Sequence, residues 1–150
     1  ALQVGMVQWE IAERLAAKPG EDAFGSISVL AQSVAKVSIV RKIPPKAFFP
    51  APKVDSAIVR LESDAAARAA LEARLAKPEG PKPMERWRNF LRDLYCHRRK
   101  NIRGALASLP GQVLGKPEID ARLAAAGIDG NRRAETMGIE EHLRLCEVFG

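Results

Sequence analysis

Cysteine is almost absent from this chain of 150 residues: Cys96 and Cys146 lie fifty positions apart, too few for a disulfide framework or a zinc cluster, and both are expected to be small core residues. No apolar run approaches the roughly 20 residues that a membrane helix needs. Ala1 to Val7 also lacks the basic start of a secretory signal, so the expectation is a soluble, cytoplasmic protein that does not enter a membrane. His97 and His142 are far apart, and neither H-E-x-x-H nor C-x-x-C occurs, which leaves metal or histidine-based nucleophilic chemistry without support. Among eleven glycines there is no G-x-G triplet and no G-x-x-x-x-G-K-[ST], so the turns that cradle dinucleotides or triphosphates are missing. Taken from the residues alone, no complete active site is present.

What is present is ordinary globular composition, 47% apolar and 28% charged, with its charge concentrated in one place. Residues 82–103 carry eight basic side chains (Lys82, Arg86, Arg88, Arg92, Arg98, Arg99, Lys100 and Arg103) against Glu85 and Asp93, an excess equal to the net +6 of the whole chain. Such a surplus attracts polyanions, with a solvated helix face as the alternative.

Leu2 to Val7 reads as a short strand of the kind that is buried in a sheet. From Trp9, Ile11/Leu15 and Ala12/Ala16 share a helical face and Glu10/Arg14 pair on another, until Lys18-Pro19-Gly20 stops the helix. A second short helix is expected around Ile27 to Val34, then strands through Val37, Ile39 and Ile43 and through Ala57, Val59 and Leu61. Between those strands, residues 43–56 hold four of the ten prolines. Each fixes its own φ and restricts its predecessor, so this is a stiff loop of defined shape. Its Phe48 and Phe49 either plug the core or, for at least one of them, offer a face on which a base stacks. An alanine-rich helix from Ala65 to Ala76 and a proline-rich break follow. Trp87, Phe90, Leu91, Leu94, Tyr95, Ile102 and Leu106 then form one stripe, predicting a single helix with a core face and a basic face that ends at Leu109-Pro110-Gly111. Short helices ending at Gly127 and running from Ile139 to Phe149 complete the chain. The expected class is α/β: the C-terminal part of a Rossmann-type sheet over residues 1–62, a helical and proline-rich linker over 63–83, and a small all-helical domain over 84–150.

Several stretches carry a resemblance. Met6 to Gly20, Phe24 to Gln32, the loop and strand Pro44-Pro45-Lys46-Ala47-Phe48-Phe49-Pro50-Ala51-Pro52-Lys53-Val54-Asp55-Ser56-Ala57-Ile58-Val59-Arg60-Leu61, the run His97 to Arg103, and Gly127-Ile128-Asp129 with Arg132 to Thr136 are similar to the small-subunit ribosomal RNA adenine dimethyltransferases. The resemblance implies an S-adenosylmethionine-dependent methyltransferase sheet followed by a helical RNA-contacting domain. It implies dimethylation at N6 of two adjacent adenosines, with immature small ribosomal subunits as the partner. Phe48, heading Phe-x-Pro-x-Pro, would then pack against the flipped adenine, whose N6 is out of reach in a stacked base. Lys53 would lie near the same rim, and Arg98, Arg99, Lys100 and Arg103 would grip the RNA backbone. His97 stands where glutamine is common, and Gly138 where Ser or Thr usually caps a helix. The family's glycine-rich cofactor turn and Asn-Leu-Pro-Tyr tetrapeptide have no counterpart here, for none of Asn89, Asn101 and Asn131 is followed by Leu-Pro. The resemblance therefore implies a C-terminal portion with the cofactor site mostly elsewhere and little activity by itself. Two other readings are a non-catalytic RNA-binding assembly module and the related antibiotic-resistance methyltransferases of large-subunit rRNA. A partial sheet would also expose an edge that invites pairing. Sedimentation of the isolated chain is expected to show self-association through that edge, and a clean monomer at high concentration would contradict it.

Overall fold

A computed structural model describes all 150 residues. Its elements in chain order are β1 (Leu2–Gln8), α1 (Trp9–Ala16), α2 (Ser26–Gln32), β2 (Ala35–Ile43), a 3-10 turn (Pro45–Ala47), β3 (Ser56–Ser63), α3 (Ala65–Leu75) and α4 (Pro83–Cys96). These are followed by α5 (Ile102–Ala107), α6 (Lys116–Ala125), a second 3-10 turn (Ala134–Thr136) and α7 (Ile139–Phe149). The sheet order is β1-β3-β2. Since β3 is antiparallel to both neighbours, β1 and β2 run parallel to each other, joined by the α1–α2 crossover. The α/β class agrees with the sequence reading, as does the order of elements up to α4.

One face of the sheet is covered by α1, where Ala12, Ala57 and Val59 are buried among Val7, Trp9, Leu15, Ile39 and Leu61. The other face is open. Leu2, Val4 and Met6 remain 57%, 63% and 56% exposed, so the buried strand expected from this run is instead an exposed edge. The reason is that β1 has a partner on one side only and nothing lies over its outward residues.

The main core is separate and larger. It gathers Ala17, Phe24 and Val29 from the sheet side with Leu71 and Leu75 of α3, Trp87, Phe90, Leu91 and Leu94 of α4, and side chains of α5, α6 and α7. Helix α3 thus packs within it, its N-terminus capped by Asp64, which accepts from the Ala67 amide at 2.9 Å. The sheet side is fastened by Trp87 Nε1, which donates to Ser33 Oγ at 3.1 Å in a buried bond.

The single helix predicted through Leu106 is two. α4 ends at Cys96, and Asn101 starts α5 by accepting from the Gly104 amide at 2.9 Å. Two other free amides of that first turn, Ile102 and Arg103, donate to Arg132 and Gly130 carbonyls at 2.7 and 3.1 Å. An asparagine cap and a tertiary loop together satisfy what an uninterrupted helix would satisfy internally. Cys96 is consequently exposed on the last turn of α4, against expectation, whereas Cys146 is buried and its thiol is pushed up to about 12 by loss of solvent. At the end of α6, Gly127 has φ 69°, with its amide on Ala124 and the Ile128 amide on Leu123. That is the glycine-terminated Schellman arrangement.

Arg86, counted in the basic stretch, is no surface cation: it is 6% exposed. Its guanidinium donates to the Leu75 carbonyl at 2.7 Å and the Cys146 carbonyl at 2.8 Å, at the C-terminal ends of α3 and α7. Replacement by leucine would strand buried carbonyls, each worth about 1–3 kcal/mol. The Arg86→Leu chain is expected to lose roughly 2–4 kcal/mol in urea unfolding; an unchanged midpoint would show that these contacts add nothing.

Candidate nucleic-acid interface

The stiff loop after β2 is held at both ends. At its start the Ala47 and Phe48 amides donate to the Pro44 and Pro45 carbonyls, each at 3.1 Å. At its finish the Trp9 amide donates to the Asp55 carbonyl at 2.9 Å, and Lys42 Nζ lies 3.5 Å from the Asp55 carboxylate and 4.3 Å above the Trp9 ring. Phe48 is half-buried at the head of the Phe-x-Pro-x-Pro run, while Phe49 is fully exposed. Neither ring plugs the core, for neither joins the buried clusters. Lys53 is exposed and has no acidic partner.

A β-bulge decides what faces this loop. Ile39 sits opposite Val59, but Arg41, not Val40, sits opposite Ile58. Strict alternation would leave Arg41 on the α1 face with Ile39; the extra residue moves Arg41 and Ile43 to the open face and turns Lys42 towards Trp9. Arg41, Ile43, Pro44, Lys46, Ala47 and Ile58 line a cavity of about 510 Å³ there. Sequence reasoning passed over Arg41 and Lys46, since a bulge is set by pairing with β3 and leaves no local signature.

The second cationic segment is the turn between α4 and α5. Its predicted contact residues differ sharply in their partners. Arg98 Nε donates to Glu135 at 2.9 Å and its Nη2 to the Asp22 carbonyl at 2.7 Å, while the Glu135 carbonyl accepts from Gly20 at 2.8 Å. Arg98 is therefore a latch between this turn, the loop at residues 18–25 and the second 3-10 turn. Arg103 pairs with Asp120 at 2.7 Å. Lys100 Nζ donates to Ser108 Oγ at 2.8 Å and faces no carboxylate. Arg99 is exposed without any partner. Of the eight cations in 82–103, only Lys82, Arg88, Arg99 and Lys100 remain uncommitted, because Arg92 is also paired, with Asp93 at 2.9 Å. The local excess read from sequence is about halved by tertiary partners.

Behind the turn, the Tyr95 ring stacks on His142, 5.8 Å between centroids and 8° between planes, and Tyr95 Oη lies 3.0 Å from His142 Nε2. His142 Nδ1 is 2.8 Å from the Gly138 carbonyl, which can only accept, so Nδ1 carries the proton and Nε2 accepts from the tyrosine. Burial lowers the histidine's pKa and raises the phenol's, which keeps this support neutral. No hydrogen bond or ion pair joins the loop 44–55 to the turn 97–103; they are two separate segments on one framework.

The family described as "Ribosomal RNA adenine dimethylase" matches residues 3–149. The chain belongs to that family. Similar relatives include the "Ribosomal RNA small subunit methyltransferase A" of Dinoroseobacter shibae, 39% identical over 94% of this chain and 44% of the relative. That of Desulfitobacterium hafniense is 39% identical over 99% and 49%. The chain thus spans about half the length of the curated relatives it matches. Among solved structures, a dimethyladenosine transferase from Plasmodium falciparum aligns with TM-score 0.73 at 21% identity, over 96% of this chain and 56% of that one. The 23S rRNA methyltransferase ErmE aligns with TM-score 0.58 at 23% identity, over 99% and 54%. Both likenesses show the fold alone: an α/β portion with a three-stranded sheet followed by helices, aligned over about half of each of those chains.

Within this chain the two adjacent arginines are expected to separate by experiment. Arg98→Ala should lower stability by roughly 1 kcal/mol after allowance for solvent screening, and Arg99→Ala should leave it unchanged. Equal unfolding midpoints for the two variants would remove the latch.

Proposed function

We propose that this chain is the C-terminal, substrate-side portion of an S-adenosylmethionine-dependent enzyme that dimethylates N6 of two adjacent adenosines in small-subunit rRNA during cytoplasmic ribosome assembly. The observation that carries this reading is Phe48, half-buried at the head of a proline-stiffened loop clamped to the sheet through Trp9, Lys42 and Asp55. The names of the relatives, small-subunit rRNA methyltransferases, point the same way. Extruding an adenine from its stack costs a few kcal/mol, and an aromatic face returns about 1–3 kcal/mol per base. A ring held in place before the base arrives loses little freedom on contact, so more of that stacking energy is retained. Arg99, Lys100 and Lys53 are free to neutralise RNA phosphate, while Arg98 acts through the position of the turn that carries its neighbours.

The cofactor does not fit the cavity beside the loop. A dinucleotide-like site needs close backbone approach at glycine and an acid for the ribose hydroxyls, yet the cavity beside the loop is lined by Arg41 and Lys46 with neither glycine nor acid. We accordingly assign S-adenosylmethionine to parts of the complete enzyme outside this chain, and we expect this chain alone to be inactive. Self-association belongs to the same proposal: the outer edge of β1 has no partner strand and three apolar side chains on it are more than half exposed. No helix is long and apolar enough to cross a membrane.

In the complete enzyme, Phe48→Ala should slow single-turnover methylation of immature small subunits by roughly tenfold or more, the equivalent of the stacking contribution. Phe48→Tyr should retain most of the rate. An alanine variant as fast as the parent would sink the stacking wall.

A further inference from the structure

Beside the loop that carries Phe48 lies the cavity of about 510 Å³ between the end of β2, the 3-10 turn and Ile58 of β3. It combines two kinds of surface. Ile43, Pro44, Ala47 and Ile58 make an apolar floor, and Arg41 and Lys46 supply two exposed cations with no acidic side chain among the lining residues. Neither cation is held by an ion pair, unlike Lys42 between them, which is committed to Asp55 and Trp9. The larger groove between α2 and α4, about 620 Å³, differs in carrying Glu85 between Lys82 and Arg88. An anion is therefore favoured more by the cavity at the loop.

The placing of Arg41 there depends on the bulge at Val40. Without it Arg41 would face the apolar layer under α1, an unfavourable place for an unpaired guanidinium. With it, two cations stand over an apolar floor, Lys46 two residues and Arg41 seven residues before the ring proposed to meet the target base. Bulges recur where a side chain must be re-aimed next to a site. A planar guanidinium beside an ammonium suits phosphodiester oxygens, and an apolar floor suits the face of a base or the sugar edge.

We propose that this cavity binds a nucleotide of the single-stranded RNA flanking the adenosine that Phe48 meets, with Arg41 and Lys46 on its phosphates and Ile43, Pro44 and Ile58 under its base. The proposal rests on the reading of the loop as an RNA-facing element. It makes Arg41 and Lys46 binding residues that set the path of the strand into the site.

The test is fluorescence anisotropy of this chain with a short fluorescein-labelled oligoadenylate RNA over a series of salt concentrations. Each lost phosphate contact on a single strand lowers the slope of log K against log salt by about 0.7. Arg41→Ala and Lys46→Ala are each expected to reduce the slope by about that amount. The double variant should bind on the order of tenfold more weakly at low salt, with an unchanged unfolding midpoint because both side chains are exposed and unpaired. Phe48→Ala should weaken binding while leaving the slope as it was, since stacking releases no counterions. Slopes that fall in the cation variants while Phe48→Ala is silent would support the cavity and refute the stacking wall. Unchanged affinity and slope in the double variant would overturn the proposal, whatever Phe48→Ala does.

Discussion

The ends of α3 and α7 converge on one buried guanidinium. An arginine 6% exposed among apolar helices would be costly to leave unpaired, and Arg86 bonds main-chain oxygens rather than an acidic side chain. Its charge is met instead by carbonyls at the ends of α3 and α7, Leu75 at 2.7 Å and Cys146 at 2.8 Å. Those are positions where the helix dipole concentrates partial negative charge. The planar fork can satisfy both only when α3 and α7 end side by side against the first turn of α4. Arg74 on α3 reinforces this from the surface, with Glu140 and Glu147 of α7 at 2.8 and 2.7 Å. Such exposed pairs contribute less individually.

The constraint propagates along α4. One residue after Arg86, Trp87 reaches Ser33 at the end of α2, so the helix fixed by α3 and α7 also fixes the sheet side. Two turns later Tyr95 stacks on His142, and the chain then leaves the helix into the turn at residues 97–100. The cationic turn is therefore positioned by packing at the far end of α4 as well as by its own latch through Arg98 and Glu135. Mobile charged loops lose entropy when they grip a ligand; a turn braced on both sides has less to lose.

Much of this order could be read from residue types. Period-2 alternation located β2 and β3, apolar spacing located the helices, and glycine at 127 together with Pro110 marked ends, because these signals are local and few alternatives compete with them. What failed was whatever depended on partners distant in sequence. The stripe from Trp87 to Leu106 is continuous on paper, yet Asn101 and the carbonyls of Gly130 and Arg132 divide it. Arg86, Arg98 and Arg99 look alike in a basic run, and only the fold sorts them into a core strut, a latch and an uncommitted cation. The bulge at Val40 is of the same kind, since it exists only in the pairing with β3. The proline-rich loop was legible for the opposite reason: its stiffness is intrinsic to its residues.

The sorting of cations bears on how the proposed RNA surface would work. If all eight basic residues of 82–103 met phosphate, the attraction would be strong, salt-sensitive and indifferent to sequence. With Arg86, Arg92, Arg98 and Arg103 engaged within the protein, the free cations are divided among the start of α4, the turn and the loop. On the proposed reading, discrimination would come from shape: a stiff loop presenting Phe48 would reward a strand that can extrude a base there and offer nothing to a duplex that merely carries charge. On the proposed reading, holding half of the cations in structural bonds would lower indiscriminate affinity and, through the same bonds, stiffen the framework that carries the free ones.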